Sequence, residues 1–200
     1  MNRLTGEPAD GLFHAGEIAL QRSVGMAERM EHIGAKIVRD FMPEQHRDFY
    51  ARLPFIIVAT VDHSGDIWST MLTGAPGFIS SPSPRSLTVR GTLDAADPAS
   101  AGAQAGRAIG MLGIELASRR RNRVNAQVHE VTATGFSVRV NQSFGNCPQY
   151  IQARSIRWNA EPQKGAQPVS RLTTLSAADR KLISAADTFF VSSYVQTQSR

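Results

Sequence analysis

Apolar and polar positions change their period twice along this chain. Met26, Met30, Ile33, Ile37 and Phe41 recur at steps of four, three, four and four, which puts them on one face of a helix. Pro43 ends that stretch and suits the first turn of a second helix running to about Tyr50. Both read as packing helices whose apolar stripes face a core. From Pro54 the period shortens. Residues 55–61 form a β-branched apolar run bounded by Pro54 and by the turn cluster 62–66, so they predict a strand. Further strands follow at 67–73, 78–80 and 87–89, separated by a turn at 74–77 and a proline-rich loop at 81–85.

Residues 94–108 fit a short helix or a loop equally. A strand at 109–116 carries two glycines, Gly110 and Gly113, which suggest close approach to its backbone. Residues 124–131 and 136–140 form a hairpin about Thr134-Gly135. A helical reading is open for 150–156, and 159–170 reads as a linker. Ser176 N-caps a helix to about Ala185, with Asp179 completing the cap, and residues 188–195 predict a last strand. The organisation expected is a loose tail (1–11), a barrel domain with N-terminal helices (12–158), and a linker, helix and strand packing back on it (159–200). Strand–turn–strand spacing of this kind predicts a mainly antiparallel β fold with flanking helices, a sheet or barrel.

Composition narrows the function classes. The chain has 200 residues, 42% of them apolar and 20% charged, which is ordinary for a globular protein. No apolar run is long enough to cross a bilayer, and the first residues do not read as a secretory signal, so a cytoplasmic location is the default expectation. The single cysteine, Cys147, excludes an internal disulfide or a multi-cysteine metal site. Five scattered histidines share no ligand spacing, so no metal is expected. Glycine-rich nucleotide loops, the Gly-x-Ser-x-Gly elbow and His-Glu-x-x-His are all missing. The net charge of +5 is carried almost wholly by arginine, because only Lys36, Lys164 and Lys181 are lysines, and arginine suits planar recognition of phosphate or carboxylate.

Three constellations are candidates for chemistry. In Arg119-Arg120-Arg121-Asn122-Arg123, alternation on an extended chain turns Arg119, Arg121 and Arg123 one way, a set suited to a dianion such as a flavin or pyridoxal phosphate. A solvated strand end is at least as good an account from composition alone. Trp68, Ser69 and Thr70, with Ser80, Ser81 and Arg85, place hydroxyls and a cation on what read as neighbouring strands of a hairpin. Ordinary polar strand positions explain these equally. Lastly, Asn146, Cys147, Gln149 and Tyr150 crowd amide, thiol and phenol groups round a turn that lines a ring pocket or caps a helix. A nucleic-acid reading is weaker, since the basic residues sit in one loop without a helical or aromatic-lined module.

Taken together, LPFIIVATVD at 53–62, GDIWS at 65–69, GAPGF at 74–78, IGMLGIELASRRRNRVN at 109–125 and FGNCPQYIQ at 144–152 resemble the pyridoxamine 5′-phosphate oxidase-related flavoproteins. The likeness covers roughly 12–195 and includes Phe13-His14-x-Gly16-Glu17 near the start. It implies an FMN-binding split β-barrel and a homodimer with the flavin at the subunit interface. It implies flavin contacts from Trp68, Ser69 and Thr70, from Ser80, Ser81 and Arg85, and from Arg120 and Arg121 reaching across from the partner subunit. Trp68 and Thr73 stand where the oxidases carry an arginine and a lysine. In the subgroup resembled, the barrel is often fused to a ferredoxin-reductase-like module, so for this chain the resemblance implies an electron-transfer reductase that is either absent or separate. The function expected is an FMN-dependent oxidoreductase acting on a small molecule. The alternatives are a non-enzymatic flavin- or haem-binding barrel and an anionic-polymer binder.

Overall fold

The computed structural model describes residues 12–149, 151–157 and 170–195. The tail, most of the linker and Tyr150 lie outside the described residues. Seven antiparallel strands form one sheet in the order β2-β1-β5-β6-β7-β4-β3. They are β1 (Phe55–Val61), β2 (Ile67–Thr73), β3 (Ile79–Ser83), β4 (Ser86–Arg90), β5 (Ala108–Glu115), β6 (Arg120–Thr132) and β7 (Gly135–Asn146). Four helices flank them: α1 (Ala15–Ser23), α2 (Ala27–Ile37), α3 (Glu44–Arg52) and α4 (Ala177–Ala185). Leu72 of β2 and Ile79 of β3 sit at opposite edges yet pack into the same core, so the sheet is curled round it. This is the mainly antiparallel β fold that the strand spacing predicts and the split-barrel class that the resemblance implies.

Alternation decides what fills that core. Ile56 and Val58 of β1, Met111 of β5, Val124, Ala126 and Val128 of β6, and Val138 and Val140 of β7 all point inward. α3 plugs one end with Phe49 and Tyr50, whose rings meet edge to face at 5.4 Å. Gly113 makes that plug possible: a Cβ there would lie 2.7 Å from both Leu53 and Tyr50. The close approach expected at this glycine is therefore to the protein's own helix. β1 is apolar save for Thr60, whose hydroxyl donates to the Ala99 carbonyl, because both its faces are covered. Phe55 and Ile57 point outward into a second cluster with Ile114, closed by Leu112, Leu116, Ile151 and Phe190.

Several local expectations hold. β1, β2 and α4 lie where the pattern places them, and Ser176 caps α4 reciprocally with Asp179. The undecided stretch holds one turn of 3₁₀ helix, Pro98–Gly102, capped by Asp97. His14 and Glu17, quoted above for a resemblance, form the capping box of α1.

Other expectations are corrected. The α2 stripe is peripheral: of that helix only Gly34 is buried, against Leu12 and Phe13, while Ile37 stays 41% exposed and Phe41 38%. β3 runs on through Ser83, since Ser83 pairs with Ser86 of β4 after an irregularity. β6 begins at Arg120 and β7 continues to Asn146, because the two supposed loops pair with each other, Arg121 with Asn146 and Arg123 with Phe144. Residues 151–157 are not helical; Ile151 is drawn into the outer cluster and its N–H bonds Pro148 in a turn. The stretch 188–195 makes no strand ladder. It lies over the outer face of the sheet, with Phe190 in the outer cluster and the Ser192 hydroxyl on that of Ser69.

Candidate functional site

The polar residues of β2 and β3 do not form a common site within this chain. The two strands are the opposite edges of the sheet, so the hairpin expected between them is absent, β2 pairing with β1 and β3 with β4. Each side chain is also engaged nearby. Trp68 donates its indole N–H to Asp62 at 2.9 Å, under the Arg171 guanidinium 5.2 Å above the ring. Asp62 takes further N–H bonds from Ser64 and Asp66, and the Trp68 bond before all else holds its carboxyl below the usual carboxylate range. Thr70 bonds Asp97, and Ser69 meets Ser192. Ser81 receives Arg47 twice, at 3.1 Å on its hydroxyl and 2.8 Å on its carbonyl. Arg85 pairs with Asp40 at 2.6 Å, and that hydrogen bond lowers the Asp40 pKa. Ser80 is exposed on β3.

The arginine cluster is arranged differently. A cavity of about 200 Å³ lies at the end of the β5–β6 hairpin, lined by Ser118, Arg119, Arg120, Arg121, Asn122, Gly145 and Pro148. Pairing Arg121 with Ile114 and Arg123 with Leu112 sets both guanidinium-bearing positions beside the outer apolar cluster. Desolvation, then the neighbouring Arg121 charge, lowers the pKa of Arg123. The one-way alignment expected for Arg119, Arg121 and Arg123 holds for the last two. Arg119 precedes β6 in a left-handed conformation, φ 57°, the one non-glycine with positive φ among the described residues. Arg120 alternates to the inner face, lying 5.1 Å over the Phe49 ring and donating to the Gln45 carbonyl at 3.4 Å.

Not every donor here is used. Arg121 gives one terminal N–H to the Cys147 carbonyl at 3.2 Å, but its Nε is buried without a hydrogen-bond partner among the described residues. Asn122 is 5% exposed, and its amide Nδ2 is likewise buried and unpartnered among them. Gly145 faces Asn122 across the β6–β7 ladder; a Cβ at 145 would stand 3.4 Å from Asn122 Oδ1. Behind this wall, His46 Nδ1 meets Ser143 Oγ at 3.2 Å. Burial first, then Arg39 and Arg120, pushes the His46 pKa down, so the imidazole is neutral at pH 7.

The structure thus brings Arg119, Arg120 and Arg121 together round one cavity and leaves Trp68, Ser69, Thr70, Ser80, Ser81 and Arg85 apart from it. Asn146 belongs to β7 opposite Arg121, Cys147 and Gln149 are exposed beyond it, and Pro148 joins the lining. Asn122 was not singled out from the sequence. Its signal appears only with the register of β6: two residues before Val124 it takes an inward position, where a buried amide has to be satisfied or put to use. Among the described residues there is no cluster of metal-ligating side chains and no helix long and apolar enough to cross a membrane.

No family model and no curated protein sequence matches the chain. Solved structures do resemble it. A candidate pyridoxamine 5′-phosphate oxidase from Lactobacillus delbrueckii is 17% identical over 55% of this chain and 96% of that one, with a TM-score of 0.41. An FMN-binding protein from Syntrophomonas wolfei is 9% identical over 63% and 96%, at 0.38. The FAD and haem binding protein from Mycobacterium smegmatis is 11% identical over 72% and 96%, at 0.37. At these identities the likeness concerns the fold alone, and at these scores nothing further is built on it.

Proposed function

We propose that this chain is an FMN-binding flavoprotein, an oxidoreductase related to pyridoxamine 5′-phosphate oxidase that acts on a small molecule. The observation that carries the reading is the junction at Arg121. On its own face of the sheet, cations at Arg121 and Arg123 stand directly beside the apolar surface of Phe55, Ile57 and Ile114. A flat, largely apolar body ending in an anion matches that juxtaposition. The residues fit such a group, because buried donors of Arg121 and Asn122 remain unspent among the described residues. Arg119 and Arg121 would hold the anion, and the apolar body would lie over the outer cluster, where Ile151 and Phe190 now cover Phe55, Ile57 and Ile114. A bound flavin supplies the redox chemistry, and the protein supplies binding, orientation and a positive field.

A homodimer is part of this proposal. Met71 is 50% exposed on the outer edge strand, and α4 carries Leu182 and Ile183 without burying any residue. Exposed apolar surface of this extent suits a second copy. Size-exclusion chromatography with light scattering is expected to give twice the chain mass.

The reading is tested by adding FMN to the purified full-length protein and recording the visible spectrum after gel filtration. Flavin absorption that travels with the protein is the expected result. A colourless protein that leaves FMN fluorescence unquenched contradicts the reading, and a Soret band after haem addition would favour the haem-binding alternative.

A further inference from the structure

We infer that the cavity at the end of the β5–β6 hairpin is a subsite for one terminal phosphate monoester, with the buried amide of Asn122 acting beside Arg121 as a donor to it. The inference rests on the flavin reading for the ligand's body and assigns its head.

Three observations point to the chemistry. First, the donors come from both faces of β6. Arg121 lies on the outer face, while Arg120 and Asn122 lie on the inner face, and all three line the same cavity. Donors spread in this way surround a tetrahedral oxyanion better than a planar carboxylate, which asks for a fork in one plane. Second, the charge is matched to a dianion. Glu115, the nearby carboxylate, is already engaged by the Ser118 hydroxyl and lies 3.9 Å from Arg52. Arg119 has no hydrogen bond or ion pair among the described residues and is held at the turn by its left-handed backbone. Third, Gly145 forms part of the wall, and a Cβ there would stand in ordinary contact, 3.4 Å from Asn122 Oδ1, so a larger side chain at 145 would reach into the space before the amide.

Size then separates the ligands. Sites that enclose a drug-sized molecule run to about 300–1,000 Å³. A half-open cavity of about 200 Å³ encloses a phosphate head, whereas a second phosphate with a nucleoside behind it would have to project out of it. FMN is therefore expected to bind in preference to FAD, and riboflavin, lacking the phosphate, is expected to bind weakly. The subsite differs from the place where the sequence resemblance looks for the phosphate, among Ser80, Ser81 and Arg85. Ser81 and Arg85 are committed to Arg47 and Asp40.

The test is fluorescence titration of the full chain with FMN, riboflavin and FAD, run for wild type, Asn122→Asp, Arg121→Met and Gly145→Val, each checked for folding by circular dichroism. Asn122→Asp keeps the side-chain shape while exchanging the donor for a carboxylate. Gly145→Val adds bulk to the cavity wall from an exposed position and serves should the buried substitution fail to fold. Wild type is expected to bind FMN at least about tenfold more tightly than riboflavin or FAD. Each variant should lose that preference and keep its riboflavin affinity within about twofold. Equal binding of FMN and riboflavin by wild type overturns the subsite and leaves the flavin reading standing. So does a preference that survives all three substitutions. Should no flavin bind, the flavin reading fails, and calorimetry with inorganic phosphate decides the subsite: binding abolished by Arg121→Met supports it, and no binding overturns it.

Discussion

Two polar regions of this molecule are built from the same kinds of residue and behave in opposite ways. Around β2 and β3, hydroxyls and arginines are consumed by close partners: Trp68 by Asp62, Ser81 by Arg47, Arg85 by Asp40. At the end of β6, Arg121 and Asn122 keep buried donors without partners among the described residues. A buried donor left unmatched costs about 1–3 kcal/mol, and stable folds seldom carry that cost without a use for it. Residue type alone does not separate the two regions; what separates them is the hydrogen-bonding capacity left unspent at Arg121 and Asn122 among the described residues.

Removing one arginine from each region should separate the two most clearly. Arg121→Met is expected to weaken FMN binding about tenfold or more, since a hydrogen bond to a charged group contributes about 1.5–3 kcal/mol. Equal losses from Arg121→Met and Arg85→Met, read by fluorescence titration, would erase the distinction between the regions. Next in size is Arg47→Ala. It strips two hydrogen bonds from Ser81 and should cost about 1.5 kcal/mol of stability, seen as a fall of about 3–6 °C in melting temperature, with FMN affinity unchanged.

A third effect is read by pH. The folded state holds His46 neutral, with a pKa below the ordinary 6.5. The unfolded chain therefore binds the proton more readily. Stability is complete above about pH 6.5 and is lost as pH falls through the lowered folded value. His46→Gln should flatten that part of the stability profile in urea melts at pH 5 to 7, and an unaltered slope would show that another group sets it. The smallest effect belongs to Arg85→Met. It removes an exposed, solvent-screened ion pair and should leave both affinity and melting temperature nearly unchanged.

How much of this was legible in the sequence depended on how local the cause was. The ends of β1 and β2 were readable because Pro54 and the 62–66 cluster are turn residues in their own right. The start of α4 was readable because Ser176 and Asp179 satisfy each other three residues apart. The α2 stripe misled, because periodicity shows that a face is apolar and not what covers it. The apolar stretch 188–195 misled similarly: Phe190 is held by the outer cluster rather than by a strand ladder. Sheet order was beyond local reading. β2 and β3 follow one another in sequence yet end at opposite edges, which scattered the expected hydroxyl constellation. The arginines announced themselves by density, whereas Asn122 required the register of β6 before its burial could be seen.

On the proposed reading, the anion of the cofactor goes to the end of β6 and not to the edge strands. A crystal structure of the protein with FMN bound tests it most directly. The phosphate is predicted to lie within hydrogen-bonding distance of Arg121 and Asn122, with the ring against the face that carries Ile57 and Ile114. A phosphate found instead on Ser81 and Arg85, with the cavity at Gly145 left empty, would contradict it.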